Sequence, residues 1–539
     1  MQRLRAALHE NFRTCGTEYG TELAFDIGEA SKTSNHRVLV LIQRCFRGNN
    51  DSFYLGGVMM KEYMPYGEEQ PYIKAGPFKL RFPFIHYRFE IADYIQGLLM
   101  CAVCLGAIPL LQENLGMPFE VALAIVILNG FLYTWHTFLG DPVVPGWITP
   151  AIPLLVAYCL TFPEGQSRMQ ALCAFEITLG IFSIILGVTG IAGKLVNLIP
   201  PAIKSGVILG AGISAIYMIF NDENKFAAMP YTTTICLIIA FYLLFSNGFK
   251  RLSTKNKFFE TIANLGILPA VLIAVIVAPL VGETAFPTIE WGFSHPDFAA
   301  LWTDWVPWGN LGWPSIKMFI SAIPTVLAIY IVLFGDVVQS KSLVHDADIT
   351  RPDEKIDYNP NRAHLIFGIR NTIMGVIGPD VTMCGPLWAA MQVVVCERYK
   401  KGKKSMGSLF GGAACFRYGT FTGYWLMPIV SLVEPILSVA LSLTLVVQGF
   451  VSVRIGVQQA KSFKDLGIAG VIAGVLVIKG SAWGLAVGIL ACLLCYGKDF
   501  FKGDTTFGHL WSPEVEALID EESTLDDEET PAETAEAKA

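Results

Sequence analysis

The first ninety residues contain no apolar run of spanning length; from Ile91 onward such runs follow one another closely. They lie at about 91–111, 119–138, 147–161, 169–189, 199–219, 231–246, 261–281, 315–334, 364–378, 385–396, 407–430, 434–453, 465–478 and 481–496. Most approach the roughly 20 residues a helix needs to cross the hydrocarbon core. The pattern predicts an all-α membrane protein with 14 transmembrane spans. The third and tenth runs are short, and each follows a Gly/Pro-rich extended stretch. Residues 1–90 are mixed, with Gly/Asn/Asp turns and an aromatic-basic approach, Lys79-Leu-Arg-Phe-Pro-Phe-Ile-His-Tyr-Arg88. They read as a cytoplasmic N-terminal region, either lying on the membrane surface or forming a loosely ordered leader.

Charge tests the count independently. Cytoplasmic loops should hold the Lys and Arg. With the N-terminus inside, they fall at Lys194, at 250–257, at 341–362, at 398–404 and at 454–464, whereas the opposite loops hold Arg168, Lys225 and Lys479. The longest opposite loop, 282–314, is acidic and carries Trp291, Trp302, Trp305, Trp308 and Trp313, as an outer-interface segment would. Both termini are therefore expected in the cytoplasm. No cleaved signal peptide is expected, because the first spanning run lies beyond residue 90.

Composition agrees. The chain has 539 residues, 53% hydrophobic and 16% charged, well under the roughly 25% charged of soluble domains. The segment from Pro513 to Ala539 has eleven acids and one lysine and reads as a solvated, disordered end of the 497–539 tail. Nothing suggests nucleic acid; the expected partners are the lipid bilayer and a second copy in a homodimer. Of twelve cysteines most sit inside apolar runs. Cys101-x-x-Cys104 and Cys492-x-x-Cys495 have metal or redox spacing, but no His or acid accompanies them, so no bound metal is expected from them.

Seven spans followed by seven more would give the second half the reverse orientation. Internal echoes support an inverted repeat of 91–281 and 315–496 around the 282–314 loop. Leu195-Val-Asn-Leu-Ile-Pro-Pro-Ala-Ile203 resembles Ile429-Val-Ser-Leu-Val-Glu-Pro-Ile436, and the short third span after Val144-Pro-Gly-Trp-Ile-Thr-Pro150 corresponds to the short tenth around Cys384-Gly-Pro386. Paired interrupted segments in two halves point to a transporter's binding site. Phe334-Gly335-Asp336-Val337-Val338-Gln339 adds an acid at the end of the eighth run, with a charged connector after it. A carboxylate at such depth usually faces a bundle interior or a wet cavity. Broken backbone there survives only where protein or water satisfies its polar groups.

These residues resemble the superfamily of sulfate permeases, nucleobase–ascorbate transporters and bicarbonate exchangers, across roughly 90–496. The sulfate-permease branch is the nearest. Tyr94-Ile-Gln-Gly-Leu98 is similar to its first-span pattern. Tyr133 through Gly140-Asp-Pro into Pro145-Gly-Trp-Ile-Thr-Pro-Ala151 looks like its second-to-third passage, and Ile199-Pro-Pro-Ala-Ile-Lys-Ser-Gly206 like its fifth-span entry. Asp336 stands where the superfamily usually has an eighth-span acid, and Ile356-Asp-Tyr-Asn-Pro-Asn-Arg362 through Gly368-Ile-Arg-Asn371 looks like the lead into the ninth span. The resemblance implies a seven-plus-seven inverted repeat, core and gate domains, half-helices at spans 3 and 10, and elevator-type alternating access. The departures are equally plain. No sulfate-transporter-type soluble domain follows, and Cys384-Gly-Pro-Leu-Trp-Ala389 lacks both the Ser-Arg of many anion members and the glutamate of nucleobase carriers. A divergent bacterial branch, in the inner membrane, is expected.

Two half-helix N-termini near Thr149 and Gly385 would bind an anion through free amides and the helix dipole. Expected substrate-binding residues are Gln96, Trp147, Thr149, Thr382, Cys384, Gly385 and Leu387, with Trp388 as a further wall. Asp336 and Gln339 are expected to couple H⁺ or Na⁺, with possible roles as a proton carrier or a Na⁺ ligand both open. Asp93, Asn129, His136, Glu176, Lys204, Arg370, Arg417 and Glu434 are further polar residues at membrane depth, His136 and Glu176 reading as hydrogen-bonded and structural. The function expected is secondary active transport of a small inorganic anion, such as sulfate or bicarbonate, or a small carboxylate. The alternatives are a nucleobase-type permease of the same fold, a passive channel, or a membrane-embedded enzyme using Asp336, His136 or Glu176. The last lacks a His-rich metal set, a Gly-x-Ser-x-Gly motif and a phosphate loop.

Overall fold

The computed structural model describes residues 66–221 and 225–500, together with two short strands before them. The chain divides into two compact units at Pro65. In the first, β1 (Ser52–Leu55) and β2 (Val58–Lys61) pair antiparallel, Ser52 opposite Lys61. The rest of the first 65 residues and the acidic tail from 501 lie outside the described residues.

The second unit opens with a strap, 66–90, carrying the hairpin β3 (Ile73–Ala75) and β4 (Phe78–Leu80). Helices then follow almost without interruption. The first half comprises α1 (Ile91–Cys104), α2 (Ala107–Leu115), α3 (Phe119–Phe138), α4 (Ile152–Cys159), α5 (Gln166–Thr189), α6 (Ala192–Leu198), α7 (Pro201–Phe220), α8 (Pro230–Phe245), α9 (Asn247–Lys255), α10 (Lys257–Asn264) and α11 (Leu268–Leu280). A connecting segment holds α12 (Phe298–Asp304). The second half comprises α13 (Ile316–Thr350), α14 (Pro360–Ile377), α15 (Ala389–Lys400), α16 (Leu409–Gly423), α17 (Met427–Val433), α18 (Leu437–Gln459), α19 (Phe463–Lys479) and α20 (Ser481–Tyr496).

Every apolar run falls on one or more of these helices. Among the described residues, seven helices are long and apolar enough to cross a membrane, or up to nine if α8–α9, bent by 61°, and α10–α11, bent by 86°, each make one span. The eighth run differs from expectation. Its helix does not stop near Phe334 but continues as α13 to Thr350, 35 residues in all. Between Gly335 and Thr350 there is no proline, and one glycine costs a helix only about 1 kcal/mol. Asp336 therefore lies inside a continuous helix, and the charged connector expected after it is helical as far as Thr350.

The packing shows the repeat. α1 packs on α16 as α13 packs on α5; α3 packs on α16 as α14 packs on α5; α7 and α18 pack on each other. These pairs exchange when each helix is replaced by its counterpart in the other half. The two Pro-containing echoes are structural equivalents too: α6 breaks before α7 at Pro200-Pro201, and α17 breaks before α18 at Glu434-Pro435. Helices α1, α3, α5 and α13–α16 form one packed group, and α7, α8, α11 and α18–α20 the other. Small residues allow such contacts in lipid, where burial of apolar surface gives no advantage. A Cβ at Gly97 of α1 would run into the Phe416 carbonyl of α16, so the two backbones touch there.

The strap ties one end of the first group. Lys79 N and Arg81 N donate to the carbonyls of Leu139 and Phe138 at the end of α3 (3.1 and 2.9 Å). Gly67 N donates to Asp353 O (2.8 Å), and Lys355 N to Glu68 O (3.0 Å). Lys79 pairs with Glu69 (2.6 Å) and Asp357 (2.5 Å), Arg362 with Asp357 (3.0 Å), and Arg81 with Glu69. The Arg81 guanidinium lies 3.9 Å over the Phe410 ring of α16.

Candidate functional site

Two extended segments cross in the middle of the first helix group. Pro145 and Pro386 lack an N–H, and the residue before a proline is pushed out of helical geometry. Val144–Ile148 and Thr382–Trp388 consequently run as an antiparallel pair. Gly146 N donates to Gly385 O (3.3 Å) and Gly385 N to Gly146 O (2.8 Å). Ile148 N reaches Thr382 O (3.3 Å), and Trp388 N reaches Val144 O (2.7 Å). The contact depends on glycine: a Cβ at Gly146 would stand 2.8 Å from Trp388 Cβ and 3.0 Å from Leu387 O.

Each segment then turns into a short helix. The turn Thr149–Ala151 leads into α4, and Trp388 leads into α15. Neither Ile148 nor Trp388, the two N-cap residues, makes a side-chain capping bond. The first amides of α15 thus keep their partial positive charge. They also meet an opening, since Trp388 and Ala389 are half-buried and Ala390 is exposed.

Buried polar side chains hold the segment between α14 and α15 from behind. Glu176 Oε2 accepts from Asp380 N (3.0 Å), and Asp380 Oδ1 accepts from Thr382 N (3.0 Å). Asn371 grips Cys384 at two points, accepting from its N–H (2.8 Å) and donating to its carbonyl (3.0 Å). Tyr133 OH donates to Met383 O (3.3 Å), where Met383 has the left-handed φ of 52°. Arg370 donates to Asn129 Oδ1, and Asn129 donates in turn to Asp380. Non-helical backbone at this depth is thereby satisfied by protein.

The expected site residues fall as follows. Trp147 is half-buried in the first segment, and Thr149 is buried where that segment turns. Thr382, Cys384, Gly385 and Leu387 are buried in the second. Thr382 Oγ1 faces Asp380 and Asn129, behind the crossing. Cys384 Sγ lies 3.3 Å from His136 Nε2, and His136 Nδ1 lies 3.7 Å from Asp141. Gln96 donates to Asn264 O (2.8 Å) at the end of α10, its amide 4.0 Å from the Met391 sulfur of α15. Half-buried Asp336 reaches the crossing: its Oδ2 is 3.5 Å from the position of a Cβ on Gly385. Gln339, three residues further along α13, is exposed.

Asn129, Tyr133, Asn371 and Asp380 were not among the expected site residues, yet they hold the broken segment. Asp380 had a signal, an acid directly after the Gly378-Pro379 break. Two arginines lie close by. The guanidiniums of Arg370 and Arg417 are 4.5 and 4.2 Å from the centre of the Tyr133 ring.

A chain whose two short helices start at a crossing of extended segments fits a known family. Residues 94–384 fit the Permease family. The chain belongs to that family. The resemblance to the superfamily of sulfate permeases and bicarbonate transporters holds. This permease is an integral, multi-pass membrane transporter and not an enzyme. No curated protein matches its sequence. Among solved structures it is similar to the transmembrane domain of a cyanobacterium bicarbonate transporter, BicA, at 15% identity and TM-score 0.46, covering 74% of this chain and 96% of that one. It is also similar to murine Solute Carrier 26 family member A9, an anion transporter in the inward-facing state, at 14% identity and TM-score 0.46, covering 76% of this chain and 68% of that one.

Proposed function

We propose that this permease is a secondary active transporter of a small anion, coupled to H⁺ or Na⁺. The observation that carries the reading is the crossing itself. Two uncapped short-helix N-termini meet there, one beside an opening, with an acid from a third helix at the same place. Helix N-termini bind anions through free amides and the dipole, without a basic side chain in contact. The Asp336 carbonyl accepts from Ser340 Oγ (2.7 Å), while its carboxylate forms no hydrogen bond or ion pair among the described residues and is available to take a proton or to face a Na⁺ ion. Movement of the α1, α3, α5 and α13–α16 group against the α7 and α18 group would carry the crossing between the two membrane faces. Both termini then lie in the cytoplasm of a bacterial inner membrane, and two copies associate as a dimer.

A neutral ring substrate is the second reading, favoured by half-buried Trp147 and Trp388 at the crossing.

Uptake into proteoliposomes under an imposed Na⁺ or pH gradient tests the coupling. Asp336→Asn keeps size and hydrogen bonding but removes the titratable charge. Concentrative uptake should disappear, while counterflow exchange persists because the helix ends remain. Near-normal uphill uptake by the variant would remove Asp336 from the coupling role.

A further inference from the structure

We propose that Arg417 is the residue that selects for charge in this permease, a fixed positive charge behind the α15 N-terminus whose counter-ion is the anionic substrate. The inference rests on the anion reading above and names the residue on which that selectivity turns.

Arg417 belongs to α16 and is 1% exposed. Its Nε and Nη1 have no hydrogen-bond partner, and it forms no ion pair among the described residues. Its guanidinium lies instead against aromatic faces, 4.2 Å from the Tyr133 ring centre and 5.0 Å from that of Trp388. Trp388 is the N-cap of α15, so the charge stands against the side chain of the residue that leads into the uncapped amides. The other buried arginine differs. Arg370 is connected through Asn129 to Asp380, and Glu176 binds the backbone of that same aspartate. The carboxylates of the cluster thus belong to the Arg370 side.

A buried guanidinium without a carboxylate partner is costly, and ordinary packing would favour an apolar side chain of the same volume. Its field adds to the partial charge of the α15 amides, beside which Trp388 and Ala389 are half-buried and Ala390 is exposed. Arg417 itself stays covered by Tyr133 and Trp388. It acts on the bound ion through a short, dry distance, where screening is weak. This makes it a positioning and selecting residue, not a contact residue. The effect must therefore scale with ligand charge, which a purely structural role would not produce.

The test uses the purified full-length chain in detergent and follows thermal stabilisation at constant ionic strength. The probes are sulfate, oxalate, bicarbonate and chloride, with uracil as a neutral ring. Wild type, Arg417→Gln, Arg417→Met and Arg417→Lys are compared. Without ligand, the Gln and Met variants should be at least as stable as wild type, because an orphan charge has been removed. Their affinity for a dianion should fall about tenfold or more, with a smaller fall for a monoanion, as an electrostatic effect requires. Lys should restore much of the dianion affinity. Stabilisation of wild type and variants by an anion to the same extent would overturn the role of Arg417 and leave the anion reading intact. Unfolding of both Gln and Met variants would show a structural arginine and also overturn it. Stabilisation of wild type by uracil alone, or by none of the anions, would overturn the anion reading and this inference together.

Discussion

At the scale of single residues, the protein separates charges that are paired from charges that are left free. Glu354, in the connector between α13 and α14, is an instructive case outside the membrane-spanning segments. It is buried, with Oε1 accepting from Ser408 Oγ (2.6 Å) and Oε2 from Leu409 N (3.4 Å). Burial pushes its carboxyl up to about 7, against the opposing effect of the Ser408 bond and Arg351. The folded state therefore holds this proton over a range where the unfolded state has lost it. The sign follows from linkage: stability falls as pH rises from the ordinary glutamate range, near 4.5, to about 7, and is level above that. Glu354→Gln should remove this slope. Thermal unfolding of the two proteins at a series of pH values between 4.5 and 8 checks it, with the variant gaining relative stability toward pH 8. Parallel curves for the two proteins would show that Glu354 is ionised in the folded state throughout.

At the scale of elements, sequence reading went furthest where a helix is defined by its own residues. The apolar runs located the helices, and Gly146, Pro150, Gly385 and Pro386 marked the two short ones, because glycine and proline act locally on the backbone. The end of α13 was not legible: polarity rises after Asp336, but polarity alone does not break a helix. Nor was the set of side chains holding the second segment. Glu176 and Asp380 are 204 residues apart, and Asn129 and Asp380 are 251 apart, so nothing local relates them. The Asn371 grip on Cys384 yields a test at this scale. Asn371→Leu keeps the volume but leaves the Cys384 N–H and carbonyl without their partner. An unmet buried group costs about 1–3 kcal/mol. The variant should unfold at lower temperature and lose most transport. Because the change lies behind the crossing, the loss should affect all substrates alike. A variant with wild-type stability and uptake would show that the segment holds its shape without Asn371.

At the scale of the whole molecule, inter-helix bonds sort the connections to two ends, and the Lys/Arg bias then orients them. At one end Asp297 N donates to Glu120 O (3.0 Å) and Ser294 N to Trp425 O (3.0 Å), joining the 282–314 segment to the start of α3 and the end of α16. Trp291 and Trp313 are exposed there, 86% and 59%, as amphipathic rings at a membrane–water boundary would be. At the other end of α3 lies the strap, bonded to Phe138 and Leu139 and to the 353–357 connector. Lys401 pairs with Glu260 (2.7 Å), so α10 and the end of α15 also share one end. The basic connectors read from the sequence as cytoplasmic include 250–257, 341–362 and 398–404. The strap and those connectors should therefore face the cytoplasm, and 282–314 the outside. Single cysteines at Phe286, Lys255 and Lys401, in a background lacking Cys15, Cys45 and exposed Cys495, make this measurable in intact cells with a membrane-impermeant maleimide. Phe286→Cys should label from outside, while Lys255→Cys and Lys401→Cys should label only after the membrane is opened. Labelling of all three from outside would mean that α10–α11 or α13–α15 crosses a different number of times than their lengths suggest. The reverse pattern would invert the protein, placing the strap outside and reversing the direction in which an imposed gradient meets Asp336.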